Sequence, residues 1–140
     1  TGLNIIHEGA GDNQLVFAFV RIGEAPRDAL IAIEEPEIHL HPASQAQVAD
    51  VLVDLAKEKG KQLLLTTHSE HILFRLLTNV AEGKLSKDEM AIYYFEKPEK
   101  STKVTPLEVD EKGMIQGGLP GFFEATVDEF RKYLSALSGS

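Results

Sequence analysis

Cysteine and tryptophan are absent from all 140 residues. Without thiols the chain has no disulfides and no thiolate metal site, and a cytoplasmic location is the expectation. No apolar run approaches the roughly 20 residues of a membrane-spanning helix, and no secretory leader is visible, so a membrane is not expected among its partners. Positive charge is scarce too. Lys and Arg number 14 against 22 Asp and Glu, and a net charge of −8 argues against strong electrostatic binding of nucleic acid or anionic lipid by this segment. The remainder is ordinary for a soluble domain with a real core, 43% hydrophobic and 26% charged. The chain opens at Thr1 without a Met and closes on Ser138, Gly139 and Ser140. It reads as a fragment or a processed chain, with residues 138–140 a disordered tail or a cloning remnant.

Two stretches carry the chemistry. Residues 30–42 read LIAIEEPEIHLHP, an apolar run that ends in two adjacent carboxylates, Glu34 and Glu35, before Pro36 stops it. Residues 63–71 read LLLTTHSEH, a second apolar run that ends in Thr66, Thr67 and His68. Strands that deliver polar groups at their C-terminal ends form one edge of an α/β ligand site. Two carboxylates side by side repel each other, and one would protonate unless a cation sits nearby. A hydrated Mg²⁺ on nucleotide phosphates resolves that conflict: one carboxylate holds the metal's shell and its neighbour orients or deprotonates water. The bland alternative is a solvated acidic turn at the strand's exit. His68 would lie beside Glu35 if the two strands run parallel, although a lone His at such a place is often a structural hydrogen-bonder. His39, His41, His68 and His71 with the glutamates also leave a zinc site open.

The surrounding pattern is α/β. Residues 3–7 suit a short strand, and Gly9 to Asn13 a glycine-containing loop. Residues 14–22 suit a helix apolar on every side and therefore buried, capped by Asp12 or Asn13, with a strand as the competing reading. Residues 30–35 and 62–67 lack polar alternation and are expected as strands covered on both faces. Pro42 suits the start of a helix that runs to Lys59 with Gly60 as its cap. Ser69 suits the cap of the next helix, whose apolar face is Ile72, Leu73, Leu76, Leu77 and Val80. Strand, helix, strand and helix with short links predict parallel pairing. Residues 90–95 and 104–109 predict a hairpin, with a second turn at residues 110–113. Phe123, Val127, Phe130, Leu134 and Leu137 make the single stripe of a final amphipathic helix.

LIAIEEPEIHLHP resembles the Walker B and D-loop segment of ABC-type and AAA-type P-loop ATPases, and LLLTTHSEHIL their switch-histidine strand. The forms EEPE-x-HLHP and TTHSEH resemble the predicted ATPases grouped with SMC and overcoming-lysogenization-defect proteins. YYFEK, followed by VDEKGMIQGGLPGFFE, resembles the uncharacterised C-terminal extension of one branch of those ATPases. The resemblance implies a partial P-loop NTPase fold of ABC-ATPase type, with parallel strands flanked by helices and then a C-terminal hairpin and helix. It divides the chain into residues 1–96, the C-terminal part of an ATPase head, and residues 97–137, the extension.

By the same resemblance Glu34 is the Mg²⁺-positioning acid, where Asp is usual, and Glu35 the catalytic glutamate. His68 is then the switch histidine, and His39 and His41 belong to the D-loop. The string from Gly9 and Gly11 to Asn13 and Gln14 is similar to a signature motif, with Asn13 where Ser is common and the negative charge of Asp12 close by. No G-x-x-x-x-G-K-[ST] occurs in the chain. The implied partners are therefore an N-terminal half of the head carrying Walker A, a second head in a homodimer, and DNA or a partner protein reached through other segments. The implied cofactors are ATP and Mg²⁺. Alone, the chain is expected to be inactive and to lack neighbours for its strands and its first helix. Two rival readings stand beside this one: an ATPase-derived fold kept for docking proteins, and a metal-dependent nuclease built on the same glutamates and histidines.

Overall fold

The structure, a computed structural model, describes residues 10–97 and 101–118, with backbone alone at residues 10–14 and at Lys59. The strand expected at residues 3–7, Gly9, and the final helix lie outside the described residues. Helix α1 spans Ala10–Glu24, strand β1 Leu30–Glu34, helix α2 Pro42–Lys59, strand β2 Gln62–Thr66 and helix α3 Glu70–Ala81. A 3₁₀ turn at Lys87–Glu89 leads to strands β3, Ile92–Glu96, and β4, Lys103–Leu107.

The two helices that follow strands start and stop where their end residues dictate. Pro42 occupies the first turn of α2, and Gly60 closes it in the left-handed conformation at φ 59°. His41 caps α2, its Nδ1 accepting from the Ala43 amide at 3.3 Å. Ser69 caps α3, its hydroxyl accepting from the Ile72 amide at 3.1 Å. β1 and β2 pair in parallel with Leu30 opposite Gln62 and Glu34 opposite Thr66, as the short links predict. β3 and β4 pair antiparallel, with Ile92 opposite Leu107 and Glu96 opposite Lys103.

One core cluster joins Leu15 and Ile22 of α1, Leu40, and Val48 and Leu52 of α2 to the inner sides of β1 and β2, Ile31, Ile33, Leu63 and Leu65. A second joins Val53, Val80 and Leu85 to Leu76, Met90 and Val109, and so ties the hairpin region to α2 and α3. Lys61, 6% exposed, donates to the Ile22 carbonyl and, at 3.3 Å, to that of Gly23. Its ammonium thereby meets carbonyls of the last turn of α1, where a cation complements the helix dipole.

Three expectations are corrected. The strands are not covered on both faces, since Leu30 is 68% and Leu64 59% exposed. Among the described residues no layer packs on that side of the sheet, and an apolar run in the sequence does not reveal which neighbours are present. α1 is likewise not buried on every side, because Phe17 is exposed while Ile22 is buried. α1 also begins at Ala10, so Gly11, Asp12 and Asn13 are helical, and neither Asp12 nor Asn13 is a cap.

The face between α2 and α3 carries a polar clamp that the apolar pattern does not disclose. Asp50 accepts from Arg75 Nε at 2.7 Å and from Asn79 Nδ2 at 2.9 Å. Burial pushes the Asp50 carboxyl up, but the hydrogen bonds from Arg75 and Asn79, with the charge of Arg75, outweigh it and hold the group below its ordinary range. A carboxyl depressed by folding adds stability above its unfolded pKa and loses it as pH falls through the folded one. Asn79 is 1% exposed, so Asp50→Ala strips a buried amide of its acceptor at a cost of about 2 kcal/mol. Urea unfolding should show that loss at neutral pH, and the gap between variant and wild type should narrow in acid. The exposed part of the ion pair adds little.

Candidate functional site

The site forms where β1 and β2 end. Beyond the last register pair, the Glu35 amide donates to the Thr66 carbonyl at 2.9 Å, which places Glu35 opposite the residue that precedes His68. Glu35 then turns out of the strand in the left-handed region at φ 42°, a conformation that favours glycine. Pro36, which has no amide to donate, follows it and is buried. Two successive turns finish the segment: the Ile38 amide donates to the Glu35 carbonyl at 3.1 Å, and the Leu40 amide to the Glu37 carbonyl at 3.0 Å. His39 is also left-handed, at φ 66°, and buried Leu40 anchors the turn in the core.

The parallel register brings the two chemical ends together. His68 Nε2 lies 3.5 Å from Glu35 Oε1, the imidazole 88% and the carboxylate 40% exposed. A contact this open contributes little to stability, so its interest is chemical. An imidazole and a carboxylate at this range, open to solvent, can share a proton or orient one water molecule between them and a third group.

The remaining expected residues are placed less closely. Glu34 is the last residue of β1, opposite Thr66, with its side chain exposed on the same side of the sheet as Leu30 and Ala32. His39 is exposed in the turn, and His41 is oriented by its bond to the Ala43 amide. Gly11, Asn13 and Gln14 lie in the first turns of α1, described by backbone alone. Among the described residues no group of three or more His, Asp or Glu side chains is placed to hold a metal, so the four histidines do not assemble the zinc site left open by the sequence.

Two residues of the site, Glu37 and Gln45, carry no individual role in the sequence pattern, and Ser69 gains a second one. Glu37 Oε1 accepts the His68 amide at 2.7 Å. Gln45 donates to the Leu40 carbonyl at 3.0 Å and accepts the Ser69 hydroxyl at 2.6 Å. Ser69, expected as a helix cap, thus also links α3 to α2 through Gln45. The signal for Glu37 was present in the string Glu-Glu-Pro-Glu, but the turn that aims it at β2 depends on the left-handed Glu35. Glu37, Gln45, His68, Ser69, Glu70 and His71 line a cleft of about 350 Å³. A larger one, about 590 Å³, lies beside the hairpin between Lys87 and Gln116 and shares none of these residues.

Comparison with known proteins places these elements in context. The family described as AAA ATPase domain matches residues 3–73, half of the chain, and includes both strand tips. A family described as Protein of unknown function (DUF3696) matches residues 85–132. The Lipoprotein-releasing system ATP-binding protein LolD of Ruegeria pomeroyi is 34% identical over 82 residues, 56% of this chain and 35% of that protein. Endonuclease GajA of Bacillus cereus is 44% identical over 52 residues, 31% of this chain and 8% of that protein. The chain thus spans about a third or less of the length of these relatives. No solved structure matches the chain.

Proposed function

The chain belongs to the AAA ATPase domain family, and on that premise we propose that it supplies the water-activating side of an ATP-hydrolysing head. Its α/β arrangement, a parallel pair of strands flanked by helices and followed by an antiparallel hairpin, agrees with part of a P-loop ATPase fold. The single observation that carries the proposal is the 3.5 Å approach of His68 Nε2 to Glu35 Oε1 at the tips of adjacent parallel strands. Ligands of open α/β sheets bind at the carboxyl ends of strands.

In this reading Glu35 accepts a hydrogen bond from the attacking water and draws proton density from it as the terminal phosphoryl group of ATP transfers. His68, at the end of β2, donates to an oxygen of that phosphoryl group and so registers its presence. Phosphoryl transfer asks mainly for positioning and charge stabilisation, which rigid strand tips suit. Glu34 would hold Mg²⁺. Hard oxygen donors and a solvent-open position fit an ion bound through one or two carboxylates plus phosphates. When bound, the ion supplies neutralisation of charge on the phosphate oxygens. Gly11, Asn13 and Gln14 in the first turns of α1, with Gly9 ahead of them in sequence, would face the phosphate of a second head in a homodimer. His39 and His41 would belong to the turn between the heads.

The phosphate cradle itself, a Walker A loop with its lysine, would come from an N-terminal half of the head. The open faces marked by Phe17, Leu30 and Leu64 are where such a half, or another protein, would pack. The expected outcome is that the 140-residue chain alone does not turn over ATP, whereas a head that joins it to a Walker A segment does so with Mg²⁺. Steady-state phosphate release checks this. Turnover by the chain alone that vanishes in Glu35→Gln would refute the division of labour. A completed head that binds an ATP analogue but never hydrolyses ATP would favour the docking-module reading instead.

A further inference from the structure

We infer that Glu37 is a positioning residue for His68, fixing the imidazole against Glu35 through the His68 backbone; the inference rests on the phosphoryl-transfer reading above. The His68 ring is 88% exposed, so no wall of side chains holds it. Its place relative to Glu35 is therefore set by where its own backbone is anchored. Glu37 supplies that anchor with the 2.7 Å bond from the His68 amide to Oε1, a charge-assisted contact across 31 residues of sequence.

The same carboxylate belongs to the turn that carries Glu35. The amides of Ile38 and Leu40 close that turn onto the carbonyls of Glu35 and Glu37, so the acid expected to handle water and the clamp on the histidine move as one unit. The following residue is held from another side. The Ser69 amide donates to Thr67 Oγ1 at 2.9 Å, and the Ser69 hydroxyl to Gln45 Oε1 at 2.6 Å. Glu37 Oε2 is buried with no hydrogen-bond partner among the described residues, although Glu37 is only half-buried and lines the cleft. A carboxylate in a wet turn would ordinarily swing out to hydrate both oxygens. Here it stays turned inward, and among the described residues the one hydrogen bond it accepts, at Oε1, is from the His68 amide.

Two variants separate the hydrogen bond from the charge. Glu37→Gln keeps an acceptor oxygen for the His68 amide and removes the charge; Glu37→Ala removes both. Amide hydrogen exchange of the 140-residue chain, read residue by residue by NMR, is expected to show His68 exchanging about tenfold faster in Glu37→Ala, as for loss of one bond to a charged acceptor. Glu37→Gln should stay near wild type, and the amides of Val48 and Leu52 should be unchanged in both. In a head completed by a Walker A segment, Glu37→Ala should lower kcat for ATP about tenfold with KM within about twofold, and Glu37→Gln should restore most of the rate.

His68 exchange that is unchanged in Glu37→Ala, or equally fast in Glu37→Gln, overturns the inference, as does a rise in KM with kcat intact. A wild-type head that never hydrolyses ATP sinks the phosphoryl-transfer reading instead. The exchange data then decide by themselves whether Glu37 anchors His68.

Discussion

A head carrying Glu35→Gln is expected to hold ATP and to turn it over about a thousandfold more slowly than the wild type. Gln keeps the size and hydrogen-bonding reach of the side chain, so the turn from Glu35 to Leu40 should persist. What is lost is the carboxylate oxygen that lies 3.5 Å from His68 and that, in the proposed role, would accept a hydrogen bond from the attacking water. The left-handed backbone at φ 42° is retained by either residue, which makes the substitution a clean test of charge. Rapid-quench measurement of phosphate release, with analogue binding measured in parallel, separates the two effects. Equal losses in binding and turnover would mean that Glu35 serves the fold or the nucleotide's seat and not the water.

The second large effect is on stability. Gly113 is buried with φ 72°, and a Cβ built there would run into the Leu77 carbonyl of α3 and approach the Ala81 Cβ. The turn from Asp110 is closed by the Gly113 amide donating to the Asp110 carbonyl at 3.0 Å. Asp110 Oδ1 also accepts the amides of Lys112 and Met114 at 2.9 and 2.8 Å. This turn is pressed onto α3 and cannot retreat without lifting Val109 from the cluster of Val53, Val80 and Leu85.

Gly113→Ala combines a left-handed side chain with a backbone clash, and should cost about 3 kcal/mol or more in urea unfolding. Gly117 provides the internal control, since its φ is 81° but an added Cβ meets nothing within 4 Å. Gly117→Ala should therefore cost only about 1 kcal/mol, the conformational part alone. Equal costs at the two glycines would show that the turn does not bear on α3. The contact matters because it fastens the segment matched by the second family, residues 85–132, to α3, the helix that begins at the end of the part matched by the first, residues 3–73.

Which of these features were legible beforehand follows a physical rule. Signals confined to a few residues carry through: Pro42 and Gly60 bound α2, Ser69 caps α3, and the two apolar runs pair in parallel. The approach of Glu35 to His68 was legible as well, because parallel pairing of two such runs places their tips together. Burial was not. Leu30, Leu64 and Phe17 read as core, yet whether a residue is covered depends on what packs against it, and no periodicity encodes that.

Glu37 and Gly113 were missed for a related reason. Each matters through one long-range contact, to the His68 amide and to the Leu77 carbonyl; the string Glu-Glu-Pro-Glu and the turn expected at residues 110–113 mark the two places but not what lies across from them. Asp50 belongs with them, its partners lying 25 and 29 residues away on α3. The hairpin was legible in outline, although its strands begin and end a residue or two from the expected positions.

The most direct test of convergence at the strand tips is a double-mutant cycle on ATP turnover by a completed head, with Glu35→Gln, His68→Ala and both together. If the two side chains act on one phosphoryl group and its water, their effects are not additive, and the double variant should be about as slow as Glu35→Gln alone. Rate losses that multiply in the double variant would mean that Glu35 and His68 work independently, contradicting a shared site.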